Sequence, residues 1–409
     1  MKILFITPYL PHPKSGHGTG VFTYGVLYHL CSKHDITLLS FCDEKELVLL
    51  KDLDNLPIKK HIIAREKGRQ KGIFRNQYLL LRRSFQLFLS IVLWEPYYVS
   101  KYRSAQMKQM INKLTEENSY DIVQIEMSQM GQYINSIKSG KTILHEHDVA
   151  YRPAFRQYKK SRLSIKKLIL FIEWCRWAKY ESMIVKKFHH ILSVTRQDQL
   201  LLEWLSGMKH ISYFPRGVDI PASTTNPENR NPNTVVFIGN FSHRPNLDSA
   251  FWLVEEIFPL VLKNIPSASL LIIGPNPPEN LKTASIKTKN THILGFVKDI
   301  SQYLQQCSVF AAPLRYGGGV KIKILHAMAE GIPIVTTKVG AEGIDGINPN
   351  SILIGNSSRE IANHICKILT DLTYSAVLSN NEQEIINKYY SWEVVMSKLE
   401  IIYENIINK

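Results

Sequence analysis

Short apolar runs and longer helical patterns alternate along the whole 409-residue chain. In the first half, KILFIT (2–7), ITLLSF (36–41), DIVQIE (121–126), TILHEH (142–147) and HILSVT (190–195) predict strands. In the second half, TVVFIG (234–239), SLLIIG (269–274), THILGF (291–296), SVFAAP (308–313) and PIVTT (333–337) do the same. Uninterrupted apolar strands are buried on both faces, and helical segments between them imply parallel sheets covered on either side. Two such sets predict an α/β chain of two doubly wound domains. Between them RGVDIPASTTNPENRNPNT (216–234) is rich in Pro, Asn, Thr and Ser and lacks an apolar period, which is linker composition. The expected division is a first domain over 1–215, a linker over 216–232 and a second domain over 233–380. A terminal amphipathic helix over 381–409 is expected to pack back towards the first domain. Doubly wound sheets bind ligands beyond the carboxyl ends of their strands, so the loops there should carry the chemistry.

Composition narrows the class. Hydrophobic content of 44% and charged content of 21% are those of a soluble globular protein. The five cysteines are odd in number and widely spaced, which argues against a disulfide framework or a zinc site and favours a reducing, cytoplasmic compartment. MKILFITPYLPHP has too short an apolar run for a signal peptide and reads as a first strand. FQLFLSIVLW (85–94) falls well short of the roughly 20 residues of a membrane span. The formal charge of +15 is clustered: residues 59–83 hold nine Lys or Arg against one acid, and 152–187 hold eleven against two. Interleaved with apolar residues, these segments suit an anionic membrane surface or, failing that, a solvated helix face. No nucleic-acid-binding motif accompanies the charge, and nucleic acid is not an expected partner.

Four strand-end segments hold the candidate chemistry. After the first strand, PYLPHPKSGHGTGVFTYGVLYHL places Gly16, Gly18 and Gly20 in a loop that enters a helix. Such glycines allow positive φ and close backbone approach to a phosphate or sugar, or simply a flexible turn. The spacing is not G-x-G-x-x-G, and Phe41 and Cys42 are read at the end of the second strand in place of an acid, so a dinucleotide fingerprint is missing. In TILHEHDVA, His145 and His147 are expected on opposite sides of the strand, either one serving as an acid–base or hydrogen-bonding group. Nothing nearby supplies further metal ligands, and no metal is expected. In FIGNFSHRPNLDSAFWLVEEIFP, Arg244 lies where an anion would bind, and Pro245 suits a first helical turn. In PLRYGGGVKIKILHAMAEG (313–331), Gly317, Gly318 and Gly319 precede a helix whose N–H groups and dipole suit an oxygen-rich anion. Ile322, Leu325 and Met328 should form its buried stripe, leaving Lys323 and His326 on another face.

This last segment, followed by GAEGI, resembles the donor-binding segment of group 1 (family 4) glycosyltransferases. PRGVD (215–219), IGNFSHRPNLDS, DIVQIEMSQM, SVTRQD and YYSWEVVMSKLEIIYENI are similar to further segments of that family, so the resemblance spans essentially the whole chain. It implies the GT-B fold, two Rossmann-like domains facing across a cleft. It also implies retaining, metal-independent transfer of a sugar from a nucleotide-diphosphate sugar to a glycan or lipid-linked acceptor in cell-surface polysaccharide biosynthesis. No cofactor is implied besides the donor substrate. Carried over residue by residue, Gly317, Gly318, Gly319 and Val320 face the donor sugar and diphosphate, and Arg244 and Lys323 neutralise the leaving charge. Gly18 and Gly20 lie over the diphosphate; His147 is catalytic, with His145 the alternative, on the acceptor side. Many members carry two glutamates eight positions apart, where this chain has Gly318 and His326, leaving His326 to face the ribose. A nucleotide-sugar 2-epimerase-like enzyme and a non-catalytic glycan- or nucleotide-binding subunit are the competing readings. The implied location is cytoplasmic and peripheral at the inner face of the plasma membrane, the membrane part resting on the charge clusters.

Overall fold

The apolar runs become the centres of two parallel sheets. A computed structural model describes residues 1–15, 17–65, 73–221 and 230–408, with backbone alone at 73–80, 82, 83 and 160. Gly16 and the basic residues between 66 and 72 lie outside the described residues. The chain forms two units, Met1–Gly217 together with Val395–Lys409, and Val218–Val394.

In the first unit the strands are β1 (Lys2–Thr7), β2 (Asp35–Asp43), β3 (Lys59–Arg65), β4 (Ile122–Glu126), β5 (Lys141–Glu146), β6 (His190–Ser193) and β7 (Ile211–Tyr213). They pair in parallel in the order β3-β2-β1-β4-β5-β6-β7. β1 is buried along nearly its whole length, which is why its sequence shows no alternation. β3 and β7 escape the apolar-run criterion. β3 is an edge strand that mixes lysines and a histidine into its apolar residues, as edges commonly do, and β7 is three residues long. β2 continues to Asp43, so an acid does end the second strand, contrary to the reading from its apolar run. The helices between strands are locally specified at their ends. Thr195 Oγ1 accepts from Asp198 N at the start of Arg196–Ser206, and Gly207 closes that helix at φ 70°.

The second unit contains β8 (Thr234–Ile238), β9 (Ser269–Ile273), β10 (Thr291–Gly295), β11 (Val309–Ala312), β12 (Ile334–Thr336) and β13 (Ile352–Ile354), again all parallel. Their order is β10-β9-β8-β11-β12-β13. β8 sends Val235 and Phe237 into one core and Val236 into another, so both faces are apolar. At its end Gly274 approaches so closely that a Cβ would lie 1.9 Å from the Gly239 carbonyl oxygen, and its φ of 144° suits glycine.

Two boundaries differ from those read in the sequence. PRGVD is structured: Arg216 is buried in the first unit, and Val218 N donates to Tyr390 O at 2.9 Å in the second. Its polar composition resembles a linker because its bonds are made to distant residues. The tail is two helices, Leu372–Tyr389 and Trp392–Ile407. The helix ends at Tyr390, whose carbonyl is taken by Val218, and the chain joins the first unit from Val395 onward.

Candidate active site

In the second unit the strand order reverses between β8 and β11, and the loops after these strands are where such a sheet admits a ligand. The β8 loop leads into the helix Arg244–Trp252, which has Pro245 in its first turn. The β11 loop carries Gly317 at φ 137° and Gly319 at φ 66°. The two loops are tied together: Tyr316 Oη donates to Arg244 O at 3.2 Å, and Arg315 makes a two-pronged pair with Asp248 at 2.8 and 2.6 Å. The glycines reach the helix Ile322–Ala329 through Val320, which packs half-buried against the core, and Lys321, which caps it and bonds Gly319 O.

Lys323, the second residue of that helix, donates to Ile238 O at the end of β8 (2.9 Å) and to Asn246 Oδ1 (2.7 Å). Its ammonium also lies 4.4 Å from the Phe237 ring centre. Desolvation, with Lys321 adding to it, pushes its pKa down to about 7. Arg244 is exposed at the start of the helix Arg244–Trp252, two residues before the Asn246 that Lys323 bonds. The structure therefore brings Arg244, Gly317, Gly318, Gly319, Val320 and Lys323 to one end of the second sheet. His326 lies on the exposed face of the same helix. Although its side chain reaches solvent, desolvation by the surrounding protein lowers its pKa, with Asp219 opposing, so the ring is neutral near pH 7. The buried stripe is Ile324, Leu325 and Met328; Ile322 sits at the helix start and is only half-buried.

The three glycines are not equivalent. A Cβ on Gly318 meets nothing within 4 Å, whereas Gly319 holds a left-handed conformation. Gly319→Ala should cost about 1 to 2 kcal/mol of stability, and Gly318→Ala less than about 0.5, in matched urea titrations. Equal losses would show that the loop relaxes around its φ values.

In the first unit β4 and β5 end side by side, with Glu126 opposite His145. Glu126 Oε2 accepts from His145 Nδ1 at 3.0 Å and from His147 Nε2 at 2.5 Å, and its Oε1 accepts from Gln124 at 2.6 Å. Gln124 in turn accepts from Tyr403 Oη (2.6 Å) of the Trp392–Ile407 helix. Arg216 donates to His147 Nδ1 at 3.3 Å and to Gly18 O at 3.3 Å, and lies 5.3 Å from the Phe22 ring centre. Burial works to raise the pKa of Glu126, but the histidines outweigh it and hold it well below the usual carboxylate range. His147 is pushed down to about 3, first by burial and then by His145, with Glu126 opposing.

Several expectations change here. Side chains two apart on a strand share a face, so His145 and His147 point the same way, their ring centres 4.2 Å apart. An arginine only donates, so His147 Nδ1 accepts and its single proton sits on Nε2, facing Glu126. Both nitrogens of His147, the expected catalytic histidine, are thus engaged. Buried Nε2 of His145 has no hydrogen-bond partner among the described residues. Gly20 is buried at the start of the Gly18–Leu30 helix, where a Cβ would lie 2.7 Å from Leu10 O; it is there for packing, whereas Gly18 is exposed. Ligand atoms of Glu126, His145 and His147 lie within 4.8 Å of one another, close enough to suggest a cation. The Arg216 bond opposes one: it keeps a proton on the nitrogen a cation would need, and sets a guanidinium next to the ring. Glu126, Gln124, Arg216, Asn246 and Tyr403 were missed in the sequence. Gln124 and Glu126 had a signal, being polar residues inside an otherwise apolar strand.

Two doubly wound parallel sheets on one chain make this a protein of the GT-B architecture. Residues 232–371 match the family described as glycosyl transferases group 1. The matched stretch lies within the second unit, Val218–Val394. The chain is 25% identical over 306 residues to an uncharacterized 44.6 kDa protein in the cps region of Klebsiella pneumoniae, covering 71% of this chain and 76% of that one. The Anabaena HepE protein, solved with UDP, superposes with a TM-score of 0.68 at 15% identity over 99% of this chain and 100% of its own. The same protein has been solved with UDP-glucose. Sucrose-phosphate synthase of Thermosynechococcus elongatus gives a TM-score of 0.69 at 14% identity, with 100% of each chain covered.

Proposed function

We propose that this enzyme moves a sugar, with retention and without a bound metal, from a nucleotide-diphosphate sugar to a glycan or lipid-linked acceptor. The work is cytoplasmic and serves the assembly of a cell-surface polysaccharide. The observation that carries this reading is the meeting of Arg244, the Gly317–Gly319 loop and Lys323 at the β8–β11 switch point. Arg244 and Lys323 there neutralise charge as the sugar–phosphate bond breaks, the task that a metal performs elsewhere. The glycine loop and Val320 line the donor's sugar and diphosphate end, and His326 serves a ribose hydroxyl through a neutral ring. In the first unit Gly18 and the His145–His147 pair serve the sugar and acceptor side, with His145 offering the open nitrogen. The UDP and UDP-glucose complexes of HepE support a nucleotide-sugar donor, and the cps region of the Klebsiella relative supports the polysaccharide role.

The test is nucleoside diphosphate release across a panel of donors, with and without glycan acceptors, in buffer containing a chelator. Release that requires an acceptor, and a product of unchanged anomeric configuration, are expected. Donor conversion without acceptor would instead indicate an epimerase, and binding without release a non-catalytic subunit; either outcome refutes the proposal.

A further inference from the structure

Over its described side chains, the helix Ile73–Val92 turns polar residues inward. Gln86 and Ser90 are 8% and 0% exposed, whereas Leu81, Phe85, Phe88 and Val92 are 70%, 60%, 58% and 61% exposed. The exposed four recur at i, i+4, i+7 and i+11, the spacing of a single helical stripe that normally faces a core. Bonds to the protein fix this orientation: Gln86 donates to Lys101 O at 3.4 Å, and Ser90 Oγ donates to Glu95 O at 2.9 Å. Ser90 Oγ also accepts from Arg176 at 3.2 Å, which joins this helix to the helix Ile165–Ile184. That second helix exposes Ile165, Leu168 and Ile169, directly after Leu163, which is 94% exposed.

In sequence, the two segments that carry these exposed apolar residues hold charges of one sign. Residues 73–94 contain three arginines and no acid, and residues 151–171 contain seven Lys or Arg and no acid. Arg156, Lys159, Arg162 and Lys166 are exposed. The nearest acids along the Ile165–Ile184 helix are turned onto backbone amides, Glu173 accepting from Tyr97 N and Glu181 from Ala150 N and Tyr151 N.

We infer that this face seats on a lipid bilayer surface with anionic headgroups, the two helices lying along it. Apolar side chains enter the acyl boundary and the flanking cations meet lipid phosphates. No described helix is long and apolar enough to cross a membrane, which fits a surface position. A second copy of the chain is a poorer occupant, because it would set these cations against their own kind.

The full chain should be mixed with extruded vesicles of phosphatidylcholine alone, or of phosphatidylcholine with phosphatidylglycerol, and sedimented at low and high salt. At least about tenfold stronger partitioning onto the anionic vesicles is expected, weakened by salt. Two double variants, F85S/F88S and L168S/I169S, should each lose about tenfold of that binding, with circular dichroism and thermal midpoint unchanged. Equal recovery on both vesicles, or variants that bind as well as the parent, overturns the inference. So does a lipid-free dimer in sedimentation velocity that both variants abolish, which would give the face to a second copy. Vesicle binding is scored without turnover, so this result stands or falls separately from the transfer reaction.

Discussion

Lys323→Met is expected to lower turnover by roughly one to two orders of magnitude, since a charge-assisted contact to phosphate contributes roughly 1.5 to 3 kcal/mol. Methionine keeps the apolar stem over Phe237, so the helix should stay seated, although Ile238 O and Asn246 Oδ1 lose a donor. The sharper readout is pH. With its pKa near 7, Lys323 is only partly charged in the free enzyme at neutrality. A bound diphosphate favours the ammonium, so above that pH binding must take up a proton, and affinity for UDP falls as pH rises. Lys323→Arg stays charged across this range and should flatten the slope. Isothermal titration calorimetry from pH 6 to pH 9, a range about one unit below and two above that pKa, compares the two. An identical slope in both would place the titration on another group. Stability carries the same shift in the other direction. Between about 7 and the ordinary lysine value of 10.5 the unfolded chain binds the extra proton, so Lys323 makes the fold more stable as pH rises through that window.

Glu126→Ala should be the most destabilising single change in the first unit, by about 3 to 5 kcal/mol. It leaves the protons of His145 Nδ1 and His147 Nε2 and the amide of Gln124 buried without their acceptor. Glu126→Gln retains the shape and one acceptor and should cost less. The same cluster predicts how acid unfolds the protein. His147 titrates at about 3 in the fold and at 6.5 when unfolded, so in that window the unfolded chain takes a proton the fold excludes. Its contribution is complete above pH 6.5 and lost as pH falls towards 3. Glu126 adds in the same sense at lower pH, because its pKa is also depressed in the fold. His147→Gln still donates to Glu126 but does not titrate, so its urea midpoint should fall less steeply below pH 6.5 than that of the parent. Parallel acid limbs would assign the acid sensitivity to other groups.

The second-unit site was legible because its chemistry is local. Glycines, a cation and a helix start lie within the nineteen residues 313–331, directly after an apolar strand. The central strands were legible for a related reason: β1 and β8 are apolar on both faces because both faces are covered. The edge strand β3 was not, since an edge needs fewer apolar positions and carries lysines. His145 and His147 were recognised, but which of them holds an open nitrogen could not be read. Arg216 decides that, and it also reaches back 198 residues to Gly18. The support that Tyr403 gives to Gln124 spans 279 residues and leaves no local trace.

The helix 73–92 marks the division most clearly. Its period announces an apolar stripe and its composition announces positive charge, and both are properties of neighbouring residues. Which way the stripe faces depends on whether Gln86 and Ser90 find partners at Lys101, Glu95 and Arg176. Residue type and spacing establish the elements, the parallel sheets and the groups able to do chemistry. Orientation, protonation and partnership are settled by contacts between distant segments, because a buried donor is stable only where the folded chain brings it an acceptor.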